Sequence, residues 1–344
     1  MKTLARYVLM VGAATVFVAC GRSQPPIGAP GAVPQTSALA ARTDSTNYKV
    51  VYSFGGGSDG SNPYAGLIDV GGTLYGTTFA GGSYPCDFSK TSGCGTVFSV
   101  TLGGTENVLH SFGAHGDGRN PRAGLIDVGG TLYGTTEHGH YACYYYYGTC
   151  GTVFSITPSG AEKVLVSFDG QPEGAYPFAG LIDVKGTLYG TTETGGSGVC
   201  YSNYASCGTV FSLRTGGHSG VLYSFNAHHD GAYPYAGLID VKGELYGTTF
   251  KGGANDLGAV FSVTLGGKEK VRHTFGAAAD GAQPSAGLID VNGKLYGTTL
   301  RGARIAAAPP IRAVGPSLAS RRAARKPYST ASVTELMVLT PTRP

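Results

Sequence analysis

The sequence predicts an all-β fold, a β-propeller-like array of about five four-stranded blades with the last blade incomplete. The motif AGLIDVGGTLYGTT at 65–78 returns almost unchanged from Ala123, Ala179, Ala236 and Ala286. A closing phenylalanine marks intervals of 58, 56, 57 and 50 residues, at Phe54, Phe112, Phe168, Phe225 and Phe275. The repeats contain no helix-length apolar periodicity. Repeats of about 50 residues with four strands each are typical of propeller blades.

Each copy of the motif reads as a tight β-hairpin. A turn such as Gly71-Gly72 separates two strand-like runs, and glycine tolerates the positive φ that short hairpin turns need. The loop length then pairs Val70 with Thr73. Apolar side chains fall on both faces of this hairpin, so we expect its sheet to be covered on both sides.

A second hairpin completes each repeat, as in GTVFSVT from Gly95 followed by ENVLHSF from Glu106. Residues 48–54, YKVVYSF, match only the last strand of a repeat, which predicts that the N-terminal strand joins the fifth blade and closes the ring. After Leu300 the expected GTVF strand is missing. The β-prone stretch SVTELMVLT at 332–340 is a candidate substitute for it.

The chain divides into four segments. Residues 1–20 form a lipoprotein-type signal peptide, residues 21–47 a flexible linker rich in Pro, Gly, Ala and Ser, and residues 48–300 the tandem-repeat propeller. Residues 301–344 are an Ala/Arg/Pro-rich tail. That tail is either disordered or the product of a frameshift, and a genuine basic tail is the alternative.

The signal has a short basic start and roughly a dozen apolar residues, too few to span a membrane. Its end, Phe-Val-Ala-Cys20, resembles the lipobox of bacterial lipoproteins, in which the cysteine is lipidated. The alternative is a plain signal with a chance cysteine. We therefore expect an exported lipoprotein of the cell envelope, on the outer membrane or cell surface, held to the lipid bilayer through Cys20.

The formal net charge of +4 comes from the two ends of the chain. Residues 1–20 carry a net charge of +2 and residues 301–344 a net charge of +7, so the part of the chain between them is mildly acidic. A basic patch is the usual requirement for binding nucleic acid, so nucleic acid is not an expected partner.

Six cysteines occur in pairs, one pair in the loop between the two hairpins of each of the first three repeats: Cys86 and Cys94, Cys143 and Cys150, Cys200 and Cys207. The fourth repeat lacks both cysteines and has a shorter loop. Loss in pairs predicts a disulfide within each loop, which an oxidising compartment would preserve. A metal site is the alternative, but the spacing is not C-x-x-C and no histidine recurs beside it. We expect neither a metal nor another cofactor.

The cysteine-bearing loops and the acidic connections between repeats are expected on one edge of the blades, called here the loop rim. Tyrosine supplies large contact area at low entropic cost, so this rim is the candidate surface for a glycan or protein ligand. The alternative is that its tyrosines pack on neighbouring blades and its acids cap turns. The candidate residues are Tyr84, Tyr141, Tyr144, Tyr145, Tyr146, Tyr147, Tyr201, Tyr204, Asp59, Asp117 and Asp230.

The sequence favours a binding or scaffold protein and identifies no catalytic residue. An aspartate that recurs in every repeat, as at Asp69, is expected to do structural work, since catalytic carboxylates need distinct environments. The alternative is an envelope glycan hydrolase or lyase that uses Glu137, Glu193 or Asp230, and it would require convergent, non-repeated acids with shifted pKa values in one pocket. Four histidines could form a metal site in the loops, and the alternative is that they are solvated surface residues. They are His138, His140, His228 and His229.

The repeat GLIDV-x-G-x-LYGTT, GTVFS, VLYSF resembles the GloVer tandem repeat of exported bacterial proteins, described as choice-of-anchor because members carry different sorting signals. The resemblance covers about residues 48–299. It implies an exported, envelope-anchored repeat protein, and it offers no catalytic residue to transfer.

Overall fold

The computed structural model describes residues 49–86, 93–114, 116–139, 150–200, 206–276, 280–302 and 335–339. Internal contacts divide the chain into residues 1–49 and 50–344, and every strand lies in the second unit. Within the described ranges, no helix has the length and apolar character needed to cross a membrane.

In the residues that the structure describes, twenty strands form five antiparallel sheets, one for each repeat. The first sheet contains β1 (Ile68–Val70), β2 (Thr73–Thr78), β3 (Thr96–Thr101) and β4 (Glu106–Ser111). The second contains β5 (Ile126–Val128), β6 (Thr131–Thr136), β7 (Thr152–Ile156) and β8 (Glu162–Ser167). The third contains β9 (Ile182–Val184), β10 (Thr187–Thr192), β11 (Thr209–Arg214) and β12 (Ser219–Ser224). The fourth contains β13 (Ile239–Val241), β14 (Glu244–Thr249), β15 (Ala259–Thr264) and β16 (Glu269–Thr274). The fifth contains β17 (Ala282–Pro284), β18 (Ile289–Val291), β19 (Lys294–Arg301) and β20 (Glu335–Leu339).

The predicted hairpin register is confirmed. Val70 pairs with Thr73, and the turn between them takes φ values of 63° and 85° at Gly71 and Gly72. The Asp69 carboxylate accepts a hydrogen bond of 2.9 Å from the Gly72 N–H, which closes the turn. The same bond recurs in the next three repeats, from Gly130 to Asp127, Gly186 to Asp183 and Gly243 to Asp240. The recurring aspartate therefore has the structural role expected of it.

The hydrophobic core lies between the sheets, as the two apolar faces of the hairpin predict. Tyr75 and Phe112 of the first repeat pack in one buried cluster with Leu125 and Phe154 of the second. The rings of Phe112 and Phe154 meet edge to face, with centroids 5.1 Å apart. Equivalent clusters join the second repeat to the third, the third to the fourth and the fourth to the fifth. Each sheet is thus stabilised mainly by its neighbours.

The two threonines of LYGTT have different partners. Thr77 donates a hydrogen bond of 3.0 Å to the Ala123 carbonyl of the next repeat, so it links adjacent sheets. Thr78 lies 2.8 Å from Thr96 on the neighbouring strand of its own sheet, oxygen to oxygen. Both side chains are buried, and their hydroxyl groups are satisfied by these contacts.

The first strands of the repeats are neighbours in chain order, with β1 beside β5, β5 beside β9, β9 beside β13 and β13 beside β18. Short strands that follow one another in this way form the inner layer of a propeller. The protein is therefore an all-β array of five propeller-like blades, as predicted.

The strand in the third position of the fifth sheet comes from the C-terminal region. β20 pairs antiparallel with β19, and Met337 stands opposite Gly297 where Phe98 stands opposite Gly76 in the first sheet. The candidate substitute strand at 332–340 is confirmed at 335–339.

The N-terminal fragment differs from its prediction, because the described residues 49–54 form no strand. The third position of the fifth sheet is occupied by β20, which comes from the C-terminal region rather than from a GTVF segment of the repeat. Phe54 still packs on Phe98 with centroids 4.8 Å apart, as Phe112 packs on Phe154. Leu67 is 51% exposed where its equivalent Leu181 is 3% exposed, so the first sheet is less covered than the inner ones. Closure of the ring by the N-terminal fragment stays a prediction.

Candidate ligand-binding pocket

The loop rim is formed as predicted, because the connection before each blade pairs with the loop that follows its second strand. Backbone bridges join these segments at Ser61 with Ala80, Arg119 with His138, Ala175 with Thr194, and Ala232 with Lys251. In the fifth repeat the same pairing is the ladder between β17 and β19. Connections and loops therefore share one edge of the array.

The predicted rim acids cap turns. Asp117 accepts hydrogen bonds from the His110 ring at 3.0 Å and from the Gly113 N–H at 3.1 Å. Asp59 and Asp230 are bonded similarly. Each accepts one hydrogen bond from a tyrosine hydroxyl and one from the backbone N–H of the residue four positions earlier in the chain. Asp117 and Asp230 are 5% and 4% exposed, so they offer a ligand little surface. This geometry matches the turn-capping alternative.

Two of the predicted disulfides are formed, Cys86–Cys94 and Cys200–Cys207. Cys143 lies outside the described residues, so the third pairing stays a prediction. Among the candidate tyrosines, Tyr84 is described and is 46% exposed. The others lie outside the described residues, as does Cys20: they are Tyr141, Tyr144, Tyr145, Tyr146, Tyr147, Tyr201 and Tyr204.

A pocket of about 640 Å³ opens on the loop rim, and residues from all five repeats line it. Five of these residues occupy one repeat position, directly after the proline of the connection: Tyr64, Arg122, Phe178, Tyr235 and Ser285. The other two, Glu193 and Phe250, directly follow the Thr-Thr pair of their repeats. These seven residues define the central pocket. Equivalent positions converge in this way when repeats surround a common centre.

The backbone before each post-proline residue explains the convergence. The residue preceding the proline has a positive φ in every repeat, between 57° and 59°, at Asn62, Asn120, Tyr176, Tyr233 and Gln283. Proline then restricts the next φ. Because the bend is the same each time, the following side chain leaves each repeat in an equivalent direction.

Aromatic rings form the walls of the central pocket. Tyr235 contacts Phe178 and Phe250, with centroid distances of 5.7 and 5.1 Å. The Arg122 guanidinium lies 5.6 Å from the centre of the Tyr64 ring and 5.2 Å from that of Phe178. These distances are within the range of cation–π attraction.

Two glutamates add negative charge. Glu193 accepts a hydrogen bond of 2.8 Å from the Tyr235 hydroxyl, and Glu137 forms an ion pair of 3.5 Å with Arg122. Burial raises the pKa of the Glu193 carboxyl, against the opposing effects of Tyr235 and Arg122. Burial also raises the pKa of Glu137, Arg122 lowers it, and the charge of Glu193 raises it further. Burial and the bond to Glu193 hold the pKa of Tyr235 well above its usual range.

Glu137 and Glu193 were predicted only as acids of the alternative, enzymatic function, and the aromatic residues of the pocket were not predicted. A signal for them was present. The surrounding Pro-x-Ala-Gly and Thr-Thr-x segments hardly change, while x varies among Tyr, Arg, Phe and Ser in the first and among Phe, Glu and Leu in the second. Variation at one position inside an otherwise repeated segment marks a side chain that the repeat itself does not need.

Over the part of the chain that the structure describes, no cluster of three or more His, Cys, Asp or Glu side chains could hold a metal ion. His138 lies at the rim, where burial, with the charge of Arg119, lowers its pKa. His140 is outside the described residues.

Comparison with known proteins identifies the repeat. The model of the Gloeobacter/Verrucomicrobia repeat matches residues 38–204 and 197–307. A search of curated proteins gives no match.

Solved structures that resemble the chain include three enzymes. A streptogramin B lyase is 16% identical with a TM-score of 0.41, over 71% of this chain and 67% of its own. A gluconolactonase from Xanthomonas campestris is 14% identical with a TM-score of 0.38, over 66% and 69%. An α-L-arabinofuranosidase from Clostridium thermocellum is 16% identical with a TM-score of 0.37, over 70% and 81%. At these TM-scores the likenesses carry no argument about chemistry.

Proposed function

The chain belongs to the Gloeobacter/Verrucomicrobia repeat family, and we propose that it is an exported, lipid-anchored propeller that binds a glycan in its central pocket without catalysis. The single observation that carries this proposal is the convergence of one variable position from five repeats on one aromatic-walled pocket.

The composition of the pocket supports a glycan ligand. Its volume of about 640 Å³ lies within the usual range of ligand pockets, roughly 300 to 1,000 Å³. The rings of Phe178, Tyr235 and Phe250 can cover the apolar face of a sugar. The Tyr235 hydroxyl, the Glu193 carboxylate and the Arg122 guanidinium supply hydrogen-bond donors and acceptors for hydroxyl groups.

The location of the protein is inferred from the N-terminal sequence. A short apolar signal that ends at Cys20, followed by a linker at 21–47, supports attachment to the lipid bilayer of the cell envelope. Metabolic labelling with a fatty acid tests the anchor. Cys20→Ser is expected to abolish labelling, and labelling of that variant would contradict the anchor.

A glycan array with the full chain tests the ligand class, followed by calorimetric titration of the best glycan. Phe178→Ala and Tyr235→Ala are each expected to weaken binding about tenfold, because each removes a ring from the pocket wall. The competing location is the tyrosines of the loop rim, for which Tyr84→Ala is the probe. Loss of binding in Tyr84→Ala with unchanged binding in both pocket variants would contradict the proposal.

A second candidate function is glycan hydrolysis or elimination. The observation that favours it is the presence of two glutamates at a variable repeat position, Glu137 and Glu193, whose pKa values burial raises. Incubation of the bound glycan with the protein separates the two functions. Release of new reducing or unsaturated ends, lost in Glu193→Gln, would replace the binding function by catalysis.

A further inference from the structure

We infer that the ligand of the central pocket carries a positively charged nitrogen, which binds Glu193 against the rings of Tyr235 and Phe178. The inference rests on the proposed function and makes it more specific: the glycan is an aminated sugar rather than a neutral one.

The surroundings of Arg122 show how the pocket holds a cation. In the second repeat the post-proline residue is Arg122 and the residue after Thr-Thr is Glu137, and the two form an ion pair. The guanidinium also lies against the rings of Tyr64 and Phe178. The protein thus holds one cation of its own between a carboxylate and two aromatic rings.

The third repeat has the same carboxylate without the cation. Glu193 occupies the position of Glu137, but the post-proline residue beside it is Phe178. Among the described residues no basic side chain forms an ion pair with Glu193, and its hydrogen bond comes from the neutral Tyr235 hydroxyl. Tyr235 in turn contacts Phe178 and Phe250. Glu193 is therefore a pocket carboxylate that is bonded to an aromatic side chain and has no basic ion-pair partner among the described residues.

The charge of the site agrees with a cationic ligand group. Glu137 and Glu193 face one guanidinium, that of Arg122, so the site is one negative charge in excess when both are ionised. A cation at hydrogen-bond distance stabilises the charged form of a carboxylate that is partly removed from water. Aromatic faces attract the same cation and so strengthen its binding. A neutral sugar offers neither contribution.

The test is calorimetric titration of the full chain, at slightly acid pH, with the tetrasaccharides of chitosan, chitin and cellulose. These share one backbone and differ in a single substituent, which is an ammonium, an acetamide or a hydroxyl group. We expect chitosan to bind about tenfold more tightly than the other two. Equal or weaker binding of chitosan would overturn the inference while leaving a glycan-binding function in place.

Two variants test whether Glu193 is responsible. Glu193→Gln keeps an acceptor for Tyr235 but removes the charge, and Ser285→Lys brings a cation to the pocket from an exposed position. Both are expected to lose the preference for chitosan. The matched control is Glu162→Gln on β8, a partly buried glutamate affected by His110 and Asp117 rather than by the pocket, which is expected to keep it. Retention of the preference in Glu193→Gln would overturn the inference.

If no glycan of the array binds, the proposed function fails and the inference is tested separately. Choline and its neutral carbon analogue 3,3-dimethylbutanol then serve as the probes. Preference for choline that depends on Glu193 would support recognition of a cation, and equal binding or no binding of the two would overturn it.

Discussion

In the first four sheets, the glycine of the LYGTT strand is required by the phenylalanine opposite it. Gly190 pairs with Phe211, and a Cβ at Gly190 would lie 2.6 Å from Phe211 Cζ and 2.9 Å from Leu181 Cδ2. The same ring approaches the same glycine in the first, second and fourth sheets. In each of these four sheets, the absence of a side chain at the glycine therefore leaves room for the phenylalanine ring of the neighbouring strand.

Gly190→Ala is expected to lower the free energy of unfolding by about 1–3 kcal/mol, because the new methyl group overpacks the core. Gly220→Ala on β12 is the matched control, since its nearest neighbour would be Ser212 Oγ at 4.0 Å. That change is expected to be neutral or slightly stabilising. Urea denaturation measures both, and an equal effect of the two variants would contradict this packing.

A second residue-scale feature is the buried acid at the start of β16. Burial, then the charge of Asp230, raises the pKa of Glu269 to about 7, against the opposing effect of Arg272. Its Oε1 is buried and has no hydrogen-bond partner among the described residues. The folded state therefore favours the protonated form of this carboxyl.

Stability should consequently fall as the pH rises. A carboxyl whose pKa is raised on folding stabilises the protein below its unfolded pKa, and that contribution is lost as the pH approaches the folded value of about 7. Glu269→Gln is expected to remove this loss and to stabilise the protein by about 1 kcal/mol at roughly pH 8, after allowance for solvent screening. Urea denaturation at several pH values gives the slope, and an unchanged slope would contradict the assignment.

Glu244→Gln is the control of opposite sign. Burial tends to raise the pKa of Glu244, but hydrogen bonds from Ser262 and Tyr246 and the ion pair with Arg272 together lower it. Its charge therefore stabilises the folded state at neutral pH, and its removal is expected to destabilise the protein there.

At the scale of elements, the rim loops are closed in two ways. The first and third repeats use disulfides, Cys86–Cys94 and Cys200–Cys207. The shorter loop of the fourth repeat uses hydrogen bonds instead: Asn255 Nδ2 donates to the Phe275 carbonyl at 3.0 Å, and the Gly252 N–H donates to Asp256 at 3.0 Å. Both devices hold a loop at the edge of the central pocket.

Replacing Cys200 and Cys207 together by serine is expected to lower the free energy of unfolding by about 2–3 kcal/mol. Without the disulfide the loop is open in the unfolded chain, so the unfolded state gains conformational entropy. Thermal unfolding with and without reductant measures it. Reductant should lower the melting temperature of the native protein and affect the double variant less. Equal melting temperatures of the native protein in both conditions would contradict a stabilising role for the disulfides.

The hairpin register, the disulfide loops and the shared rim could all be predicted from the sequence, because each depends on local spacing that recurs five times. The central pocket could not, because it depends on which residues of distant repeats meet. The register shift between the third and fourth strands of the first four sheets could not be predicted either. A bulge changes pairing without changing the apolar pattern, as between Val97 and Phe98.

At the scale of the whole molecule, the first four repeats share a frame, and all five repeats contribute a variable pocket residue. The frame consists of the aspartate-closed turn, the inter-sheet threonine and the crossing phenylalanine, and it fixes how each blade packs on the next. Five equivalent bends in the connections place five post-proline side chains around one pocket. Recognition can therefore change at these positions while the packing between blades stays the same.

The most direct test of this arrangement is the distance between the first and fifth repeats. Positions 64 and 285 line the same pocket of about 640 Å³. Spin labels at these two positions are expected to lie within about 20 Å of each other, as measured by pulsed electron paramagnetic resonance. Packed sheets are about 10 Å apart, so an open stack would separate labels four repeats apart by about 40 Å. A single short distance is the predicted result, and a distance near that of the open stack would contradict a pocket built from all five repeats.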